Sequence, residues 1–405
     1  MSLPFFLEFG WIPTVLTVDP AFVEGFRDPV LEASVPKDVR VIKVKAFSTK
    51  HTRKVGLGAL GMRALWHMQK AGNRLLKKEK FDLIYFSTTA FHVCWLGQYW
   101  KRKFKIPFVI DLQDPWRNDF YLDKPKHLRP PKHGFAYSIH KKMEGDTMPK
   151  ASGVVSVSKG YIEMMEQRYG LLSKKVPMEV IPFGASSRDF EIAGEQKVEP
   201  YSFENFGQKI NVAYIGAVTP FFLPIIEAFF SVFLETCTNP HLYHFYFLGT
   251  SYTANAEKRI EKLAQKLGIT NLVTEQTDRI PYFQALRTLE STDIIFIPGS
   301  QDKDYNASKV YNCILSKRPI FSIFNEESLV KSIIEKSGSG IAVGVGASDD
   351  FTMLKNKIKA RIGEFFGLEK RPIELNYALT NQFSDRYFTE KQTTLFERAI
   401  SFESK

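Results

Sequence analysis

The chain of 405 residues is too long for one ordinary hydrophobic core, and its 44% hydrophobic and 24% charged content excludes the disordered and fibrous classes, so we expect two globular domains. Its net charge of +11 arises in the first half, since residues 1–190 hold 31 basic and 18 acidic side chains, whereas residues 191–405 hold 24 and 26. Three widely spaced cysteines that match no metal-ligand pattern exclude a disulfide framework and favour a reducing, cytoplasmic compartment.

Short apolar runs alternate with helical patterns along the first half. The predicted strands are 13–18, 39–44, 82–87, 107–112, 153–158 and 178–183. Helical patterns between them include 57–78 and 161–169. Near-continuous apolar strands that are separated by helices indicate a parallel sheet covered on both faces.

The second half repeats this order after a polar stretch. The predicted strands are 210–216, 242–249, 293–299, 319–324 and 339–345, and the predicted helices are 254–267 and 282–290. The apolar segment 220–234 is too short to span a bilayer and predicts a buried helix. We therefore expect an α/β protein of two doubly wound Rossmann-like domains, 1–190 and 209–378, joined by a linker at 191–208.

The start of the chain departs from this scheme. A doubly wound domain opens with a strand, a glycine-rich turn and a helix, but "FFLEFGWIPTVLTV" predicts a helix end, a stop at Gly10 and then a strand. We expect the opening strand–loop–helix unit of the first domain to be missing. Either the natural start lies upstream or the sheet is shortened, and the first alternative is favoured.

The basic excess of the first half gathers in four clusters, at 50–54, 74–80, 101–105 and 124–142, the last of which contains no acid. Such an asymmetry indicates an anionic partner. No recognisable nucleic-acid module accompanies the charge, so an anionic membrane surface is favoured over nucleic acid, and a surface without a specific partner is the remaining alternative. The predicted location is cytoplasmic, peripheral on the inner membrane face.

Polar residues follow two strands of the first half. "VIDLQDPWRND" places Asp114 and Trp116 after one strand, and "STTAFHVCWLG" places Ser87 and His92 after another. Ligands of open parallel sheets bind at the carboxyl ends of strands, so these side chains are candidates for chemistry. The alternatives are that Asp111 and Asp114 of the first stretch only cap a loop and that His92 is an ordinary half-buried histidine.

Two sites in the second half could hold an anion. "YIGAVTP" runs from a strand into a helix through Gly216 and Thr219, and a tight turn without ligand explains it equally well. "DIIFIPGSQDKDYNASKVYNCIL" predicts a strand, a polar loop and a helix with Ser308 at its N-cap. Helix electrostatics alone disfavour a cation at that end, so Lys309 favours a bound anion.

With these motifs in order, the chain resembles the family 4-like glycosyltransferases of GT-B architecture, in which two Rossmann-like domains face a cleft. The stretches that carry the resemblance are "PFVIDLQDPW", "ASGVVSVSKGYIEMM", "MEVIPFG", "INVAYIG" and "NASKVYNCILSKRPIF". The segment 379–405 looks like the last helix of these enzymes, which returns to the N-terminal domain. The resemblance covers nearly the whole chain.

The resemblance implies a nucleotide-sugar donor held by the second domain and an acceptor held by the first. Ser308 and Lys309 would bind the diphosphate, Gly249 and Ile280 would border the nucleobase, and Asn312 matches the ribose-binding glutamate of the family. The implied donor residues are Gly216, Thr219, Gly249, Ile280, Ser300, Asp304, Ser308, Lys309, Val310 and Asn312. The basic residues that usually follow the strand-end glycine are absent from "GAVTPFF".

We therefore expect a glycosyltransferase that moves a sugar from a nucleotide-sugar to a glycan or lipid-linked acceptor in bacterial cell-surface polysaccharide synthesis. Retention of configuration without metal or cofactor is implied by the resemblance. Asp114, His92 and Lys309 are the catalytic candidates, and Ser87, His92 and Trp116 the acceptor-side candidates. The alternatives are a non-catalytic GT-B-like binding protein and a sugar-nucleotide epimerase.

Overall fold

The structure is a computed structural model of the chain and describes residues 2–24, 28–53, 56–122, 125, 129, 132–171, 173–204, 208–253, 256–303, 305 and 307–404. The chain forms two compact units. The first contains Met1–Arg27, Val35–Phe183 and Asp385–Lys405, and the second contains Asp28–Ser34 and Gly184–Ser384. Residues 191–208, expected as a linker, thus fall within the second unit, and so do residues 379–384.

The first unit is built from parallel strands and flanking helices. Its strands are β1 (Thr14–Val18), β2 (Arg40–Val44), β3 (Ile84–Ser87), β4 (Phe108–Leu112), β5 (Gly153–Ser156) and β6 (Met178–Val180). Its helices are α2 (Thr49–Thr52), α3 (Leu60–Lys78), α4 (Trp95–Phe104), α5 (His133–Thr147), α6 (Lys159–Tyr169) and α15 (Asp385–Glu403). Strands β1 and β2 pair with each other, and the other four form a sheet in the order β3-β4-β5-β6.

Among the described residues, the first unit begins with turns before β1 and continues with a short strand–helix–strand unit. Strand β1 leads through a 3₁₀ turn at Pro20–Phe22 and the helix α1 (Pro29–Ala33) to the parallel strand β2. A strand–helix–strand unit is therefore present, with a helix of only five residues. Helix α1 packs on the second unit, where the backbone N–H of Tyr282 donates to the Asp28 carboxylate over 2.9 Å. Residues before β1 form turns instead of the expected helix end.

The second unit contains a single six-stranded parallel sheet in the order β12-β11-β10-β7-β8-β9. Its strands are β7 (Ile210–Ile215), β8 (Tyr243–Leu248), β9 (Val273–Gln276), β10 (Ile294–Pro298), β11 (Ile320–Asn325) and β12 (Gly340–Val345). Besides α1, its helices are α7 (Ser187–Glu195), α8 (Leu223–Thr236), α9 (Arg259–Lys266), α10 (Tyr282–Ser291), α11 (Val310–Leu315), α12 (Leu329–Lys336), α13 (Phe351–Arg361) and α14 (Tyr377–Thr380).

Helix α8 supplies the centre of the second core, which confirms the prediction of a buried helix at 220–234. The ring of Phe229 is fully buried and lies 4.3 Å from that of Phe296 on β10 and 5.8 Å from that of Phe245 on β8. Aromatic rings at these separations add to the free energy gained by burying their area. Within the described ranges, no helix combines the length and apolarity that a membrane crossing requires.

Strand β9 is absent from the sequence prediction. It has four residues at the edge of the sheet, and its buried Glu275 breaks the apolar pattern. That carboxylate accepts hydrogen bonds from the backbone N–H of Ile260 over 2.7 Å and from the Thr250 hydroxyl over 2.7 Å. The bond to Ile260 satisfies a free N–H in the first turn of α9. The helix begins at Arg259, five residues after the predicted start at 254, which lies outside the described residues.

Candidate functional site

The carboxyl ends of the second unit's parallel strands lie at one edge of the sheet, where such folds bind ligands. The loops after β7, β8 and β9 are joined there by backbone hydrogen bonds. The N–H of Gly216 donates to Leu248 over 2.8 Å, and that of Gly249 donates to Gln276 over 2.8 Å. Residues that the sequence separates by 32 and 27 positions are therefore neighbours at this edge.

The amine of Lys309 lies over the first of these loops. Its Nζ donates to the Tyr214 hydroxyl over 2.8 Å and lies 4.8 Å from the centre of the Tyr214 ring. Gly216 makes this approach possible, because a Cβ at that position would lie 2.1 Å from Nζ. The Tyr214 hydroxyl in turn donates to the carbonyl of Ala217 over 2.9 Å, which fixes its orientation.

Burial makes the Lys309 cation costly in this structure. Desolvation is the main cause that lowers its pKa to about 8, and the positive charge of Arg279 lowers it further, while Cys313 acts in the opposite direction. The pKa of the buried Tyr214 is raised well above its ordinary value, again mainly by desolvation. A phosphate group would supply a negatively charged partner for this amine.

Arg279, which the sequence analysis missed, brings a second cation to the same edge. It follows β9, and its Cδ lies 3.6 Å from where a Cβ on Gly249 would stand. Its guanidinium lies 5.0 Å from the centre of the exposed Tyr252 ring. Because the sequence pattern did not predict β9, the loop after it was not recognised as part of the edge.

The helix entrance differs from the prediction. Helix α11 begins at Val310 instead of near Ser308, and Lys309 occupies the N-cap position with right-handed helical dihedral angles. The backbone N–H of Val310 bonds to the buried Ala307 over 2.9 Å, so a turn precedes the helix. Ser308 is exposed and does not cap the helix. The prediction of Ser308 as N-cap is therefore wrong, while Val310 is fully buried.

Asn312 lies three residues after Lys309, so both belong to one face of α11. Its Oδ1 is buried and has no hydrogen-bond partner within the described part of the chain. A buried acceptor of this kind is costly unless a donor reaches it. Asp304, which the resemblance pairs with Asn312, lies outside the described residues.

The remaining donor candidates occupy the loops of the same edge. Thr219 is exposed and precedes the 3₁₀ turn at Pro220–Phe222. Ile280 is half-buried and packs on the apolar cluster that contains Tyr246. Ser300 is buried, and its hydroxyl accepts from the backbone N–H of Asp302 over 3.0 Å.

In the first unit, His92 is buried beside a second histidine. Its ring packs edge-on against that of His140, with centroids 4.7 Å apart. Burial is the main cause that lowers the His92 pKa to about 4, and the charge of His140 contributes. His140 Nδ1 lies 2.8 Å from the carbonyl of Trp116, so that nitrogen carries the proton. At neutral pH the His92 ring is uncharged.

Ser87 belongs to a buried carboxylate cluster at the ends of β3 and β4. Asp111 Oδ2 accepts from the Ser87 hydroxyl over 3.2 Å, from the Tyr85 hydroxyl over 3.1 Å and from Gln113 Nε2 over 2.9 Å. Burial raises the pKa of Asp111, and its hydrogen bonds oppose that shift. Ser87 itself is exposed, so its hydroxyl presents the ordered end of this cluster to solvent.

The other two candidates of the first unit lie in different surroundings. Asp114 is exposed, and partial burial raises its pKa. Burial is also the main cause that raises the pKa of Tyr161, and the charge of Asp114 raises it further. Trp116 is 2% exposed and stacks on Phe91 with ring centroids 5.9 Å apart. Trp116 is thus a core residue, and a direct contact of its ring with an acceptor is not compatible with its burial.

Comparison with known proteins agrees with this description. Residues 25–186 match the model of Glycosyltransferase Family 4, which is less than half of the chain. No curated protein matches the sequence significantly.

Solved structures match over nearly the whole length at low identity. Sucrose-phosphate synthase from Thermosynechococcus elongatus is 14% identical with a TM-score of 0.58, and the match covers 98% of this chain and 91% of that one. A glycosyltransferase from Rickettsia africae is 14% identical, with a TM-score of 0.57 and coverages of 98% and 93%. HepE from Anabaena, solved in complex with UDP-glucose, is 14% identical, with a TM-score of 0.55 and coverages of 95% and 99%.

At these identities the structures establish the fold. The resemblance to the family 4-like glycosyltransferases and the GT-B architecture is therefore confirmed.

Proposed function

We propose that this chain is a glycosyltransferase that moves a sugar from a nucleotide diphosphate sugar to a glycan or lipid-linked acceptor. Its N-terminal part matches the family 4 glycosyltransferases, and its fold is that of the GT-B neighbours. The observation that carries the proposal is the Lys309 amine, which is held over Gly216 by the Tyr214 hydroxyl and has no anionic partner among the described residues.

The donor's diphosphate binds between Lys309 and Arg279 in this proposal. Both cations lie at the loops after β7 and β9, where Gly216 and Gly249 have no side chain that would keep a phosphate away from the backbone. Arg279 replaces the basic residues that are absent after the strand-end glycine. Charge-assisted hydrogen bonds from both cations would hold the phosphates more tightly than neutral donors could.

The nucleoside lies along the neighbouring residues. The ribose hydroxyls donate to the unpartnered Oδ1 of Asn312, and the nucleobase lies against Gly249 and Ile280. Thr219 and Ser300 line the remaining edge. Uracil is the first base to test, since the Anabaena neighbour was solved with UDP-glucose.

The resemblance implies transfer with retention of configuration and without a metal ion. Lys309 and Arg279 would stabilise the negative charge that develops on the leaving diphosphate, which is the largest single contribution expected of a site of this kind. The donor's own phosphate oxygen would accept the proton of the attacking hydroxyl, so that no paired carboxylates are required. This bond cleavage leaves a nucleoside diphosphate and a glycosylated acceptor.

The first unit supplies the acceptor side. With a pKa of about 4, His92 acts as a neutral hydrogen-bonding group and not as a cation. The Ser87 hydroxyl and the exposed Asp114 carboxylate would orient acceptor hydroxyls. The basic excess of residues 1–190 supports an acceptor at an anionic membrane, as in bacterial cell-surface polysaccharide synthesis at the inner face.

The experiment that tests this function incubates the protein with a panel of nucleotide-sugars, UDP-sugars first, and measures release of the nucleotide diphosphate. The expected result is slow release with at least one donor, faster with an acceptor glycan, and loss of both in Lys309→Ala. Binding without release would instead identify a non-catalytic binding protein. Conversion of one nucleotide-sugar into its epimer without release would identify an epimerase.

A further inference from the structure

One segment of the first unit carries positive charge and no acid of its own, although Arg40 pairs with Glu79 and Arg53 with Glu24 from outside it. Residues 39–78 contain 11 lysines and arginines and not one aspartate or glutamate. They form β2, α2 and α3, and α3 packs against β1 and β2. A solvated protein surface normally mixes both signs of charge, so forty residues of one sign indicate a partner that carries the other.

Helix α3 sorts its residues sharply between core and solvent. Ala64, Met68 and Gly72 are buried at four-residue spacing, which fixes this face against the core. The opposite face is exposed and carries Trp66, then Lys70 and Arg74 at the same spacing, and then the basic pair Lys77 and Lys78. None of these four cations forms an ion pair with the described residues, so their charge is not neutralised locally.

An aromatic pair lies at the N-terminal end of the exposed basic face of α3. Trp66 is 52% exposed and Phe47 is 48% exposed, with their ring centroids 6.2 Å apart. The His67 ring lies 4.8 Å from that of Trp66, and Lys70 Nζ lies 5.2 Å from the Trp66 ring centre. Large aromatic rings rarely stay half in water beside one another, and an amphipathic tryptophan surrounded by cations is typical of the headgroup layer of a membrane.

We infer that the exposed face of α3, together with Phe47, is a membrane-docking surface for a bilayer that contains anionic lipids. The lysines and arginines lie along the phosphate layer, and the rings of Trp66 and Phe47 enter between the headgroups. Lys70 and His67 already lie against the Trp66 ring. The ring is therefore less open to stacking of a nucleic-acid base on its face than to insertion of its edge into a membrane. The exposed Lys43 of β2 and the exposed Lys45, which follows β2, extend the same surface.

This inference goes beyond the proposed transfer reaction and does not depend on it. A protein that binds no nucleotide could still dock in this way, and an active transferase could fail to dock. The test therefore uses vesicle binding without donor or acceptor, and nucleotide binding is measured separately on the same preparations.

The experiment measures cosedimentation of the full chain with phosphatidylglycerol–phosphatidylcholine vesicles and with pure phosphatidylcholine vesicles at low salt. Wild type should bind the anionic vesicles and release as salt rises, because exposed charges are screened. Lys70→Gln with Arg74→Gln should weaken the partition about 25-fold, which corresponds to ~1 kcal/mol for each cation. The matched control, Lys262→Gln with Lys266→Gln, removes the same charge from an exposed helix of the second unit and should change it less than about twofold.

The aromatic contribution has its own readout. Trp66→Ala should weaken the partition roughly tenfold, whereas Phe351→Ala, an exposed aromatic of the second unit, should leave it unchanged. Anionic vesicles should shift the tryptophan emission of wild type to the blue, and Trp66→Phe should abolish that shift.

Three results would overturn the inference. They are equal binding to neutral vesicles, undiminished binding by the Lys70/Arg74 variant, and equally tight binding of a short nucleic-acid duplex with the same dependence on Trp66. Unchanged thermal unfolding of each variant shows that a loss of binding does not come from a loss of fold.

Discussion

Lys309 shows how the surroundings of one residue determine its chemistry. Its pKa of about 8 lies below the ordinary 10.5, so folding disfavours its protonated form. A bound diphosphate would reverse that shift and raise the pKa, so binding takes up protons and the affinity falls as pH rises above about 8.

We predict uptake of about half a proton for each UDP bound at pH 8, measured by calorimetry in two buffers of different ionisation enthalpy. Lys309→Arg keeps the charge but does not titrate in this range, so its uptake should vanish. The same uptake in that variant would assign the proton to another group.

Asn312 carries the second prediction at this scale. Its Oδ1 is a buried acceptor without a partner in the described ranges, and the resemblance implies a glutamate at this position. Asn312→Glu should tighten donor binding by about 1 kcal/mol, because a carboxylate accepts the ribose hydroxyls through stronger, charge-assisted bonds. Titration of UDP into both proteins measures the difference. Weaker binding in Asn312→Glu would mean that asparagine suits a different ligand.

Sequence and structure contribute differently to these residues. The pattern "NASKVYN" predicted Lys309 as a site residue, because a cation at a helix entrance conflicts with helix electrostatics, whereas Asn312 was implied by the family resemblance. Nothing in the sequence marked Arg279, since its importance comes from the hydrogen bonds that place the loop after β9 beside Gly249. The burial of Trp116 was equally invisible, because a tryptophan after a strand can face either core or solvent.

Among the structural elements, the turns that end β7 and β8 make the site possible. Gly216 has φ of +149° and a would-be Cβ 2.1 Å from Lys309 Nζ, whereas Gly249 has φ of +73° and 3.6 Å of room to Arg279. Both glycines allow a backbone conformation that costs other residues about 1–2 kcal/mol. Only at Gly216 would a side chain also displace the Lys309 amine.

We therefore predict that Gly216→Ala and Gly249→Ala both lower the free energy of unfolding by about 1–2 kcal/mol, and that Gly216→Ala alone weakens UDP binding strongly. Thermal unfolding and UDP titration on the two variants separate strain from displacement. Wild-type affinity in Gly216→Ala would show that the position of Lys309 over this glycine is irrelevant to the ligand.

The elements themselves were predictable where the apolar pattern was continuous. Strands β8 and β10 are buried at every position. The sequence of β10 is an unbroken run of apolar residues, and that of β8 is interrupted only by His244. Strand β9 was not predicted because Glu275 interrupts its apolar pattern. That glutamate accepts a tertiary hydrogen bond from α9. The predicted start of α11 was wrong because a turn at Ala307 replaces the cap that Ser308 could have provided.

At the scale of the whole molecule, the chain is two units with separate cores, and all proposed donor residues belong to the second. We predict that UDP slows backbone hydrogen exchange in the loops after β7, β8 and β9 and at the start of α11. The sheet of the first unit should exchange at unchanged rates, because bound ligand stabilises the structure that it contacts. Hydrogen-exchange mass spectrometry with and without UDP measures this, and protection confined to the first unit would contradict the assignment of the donor.

The most direct test of the account compares UDP and uridine binding to wild type and Lys309→Ala by calorimetry. If the edge of the second sheet binds the diphosphate through Lys309, the variant should lose about 1.5–3 kcal/mol of UDP affinity, the range of a charge-assisted hydrogen bond, and keep its uridine affinity. Unchanged UDP affinity in Lys309→Ala would contradict the phosphate site and with it the proposed donor binding.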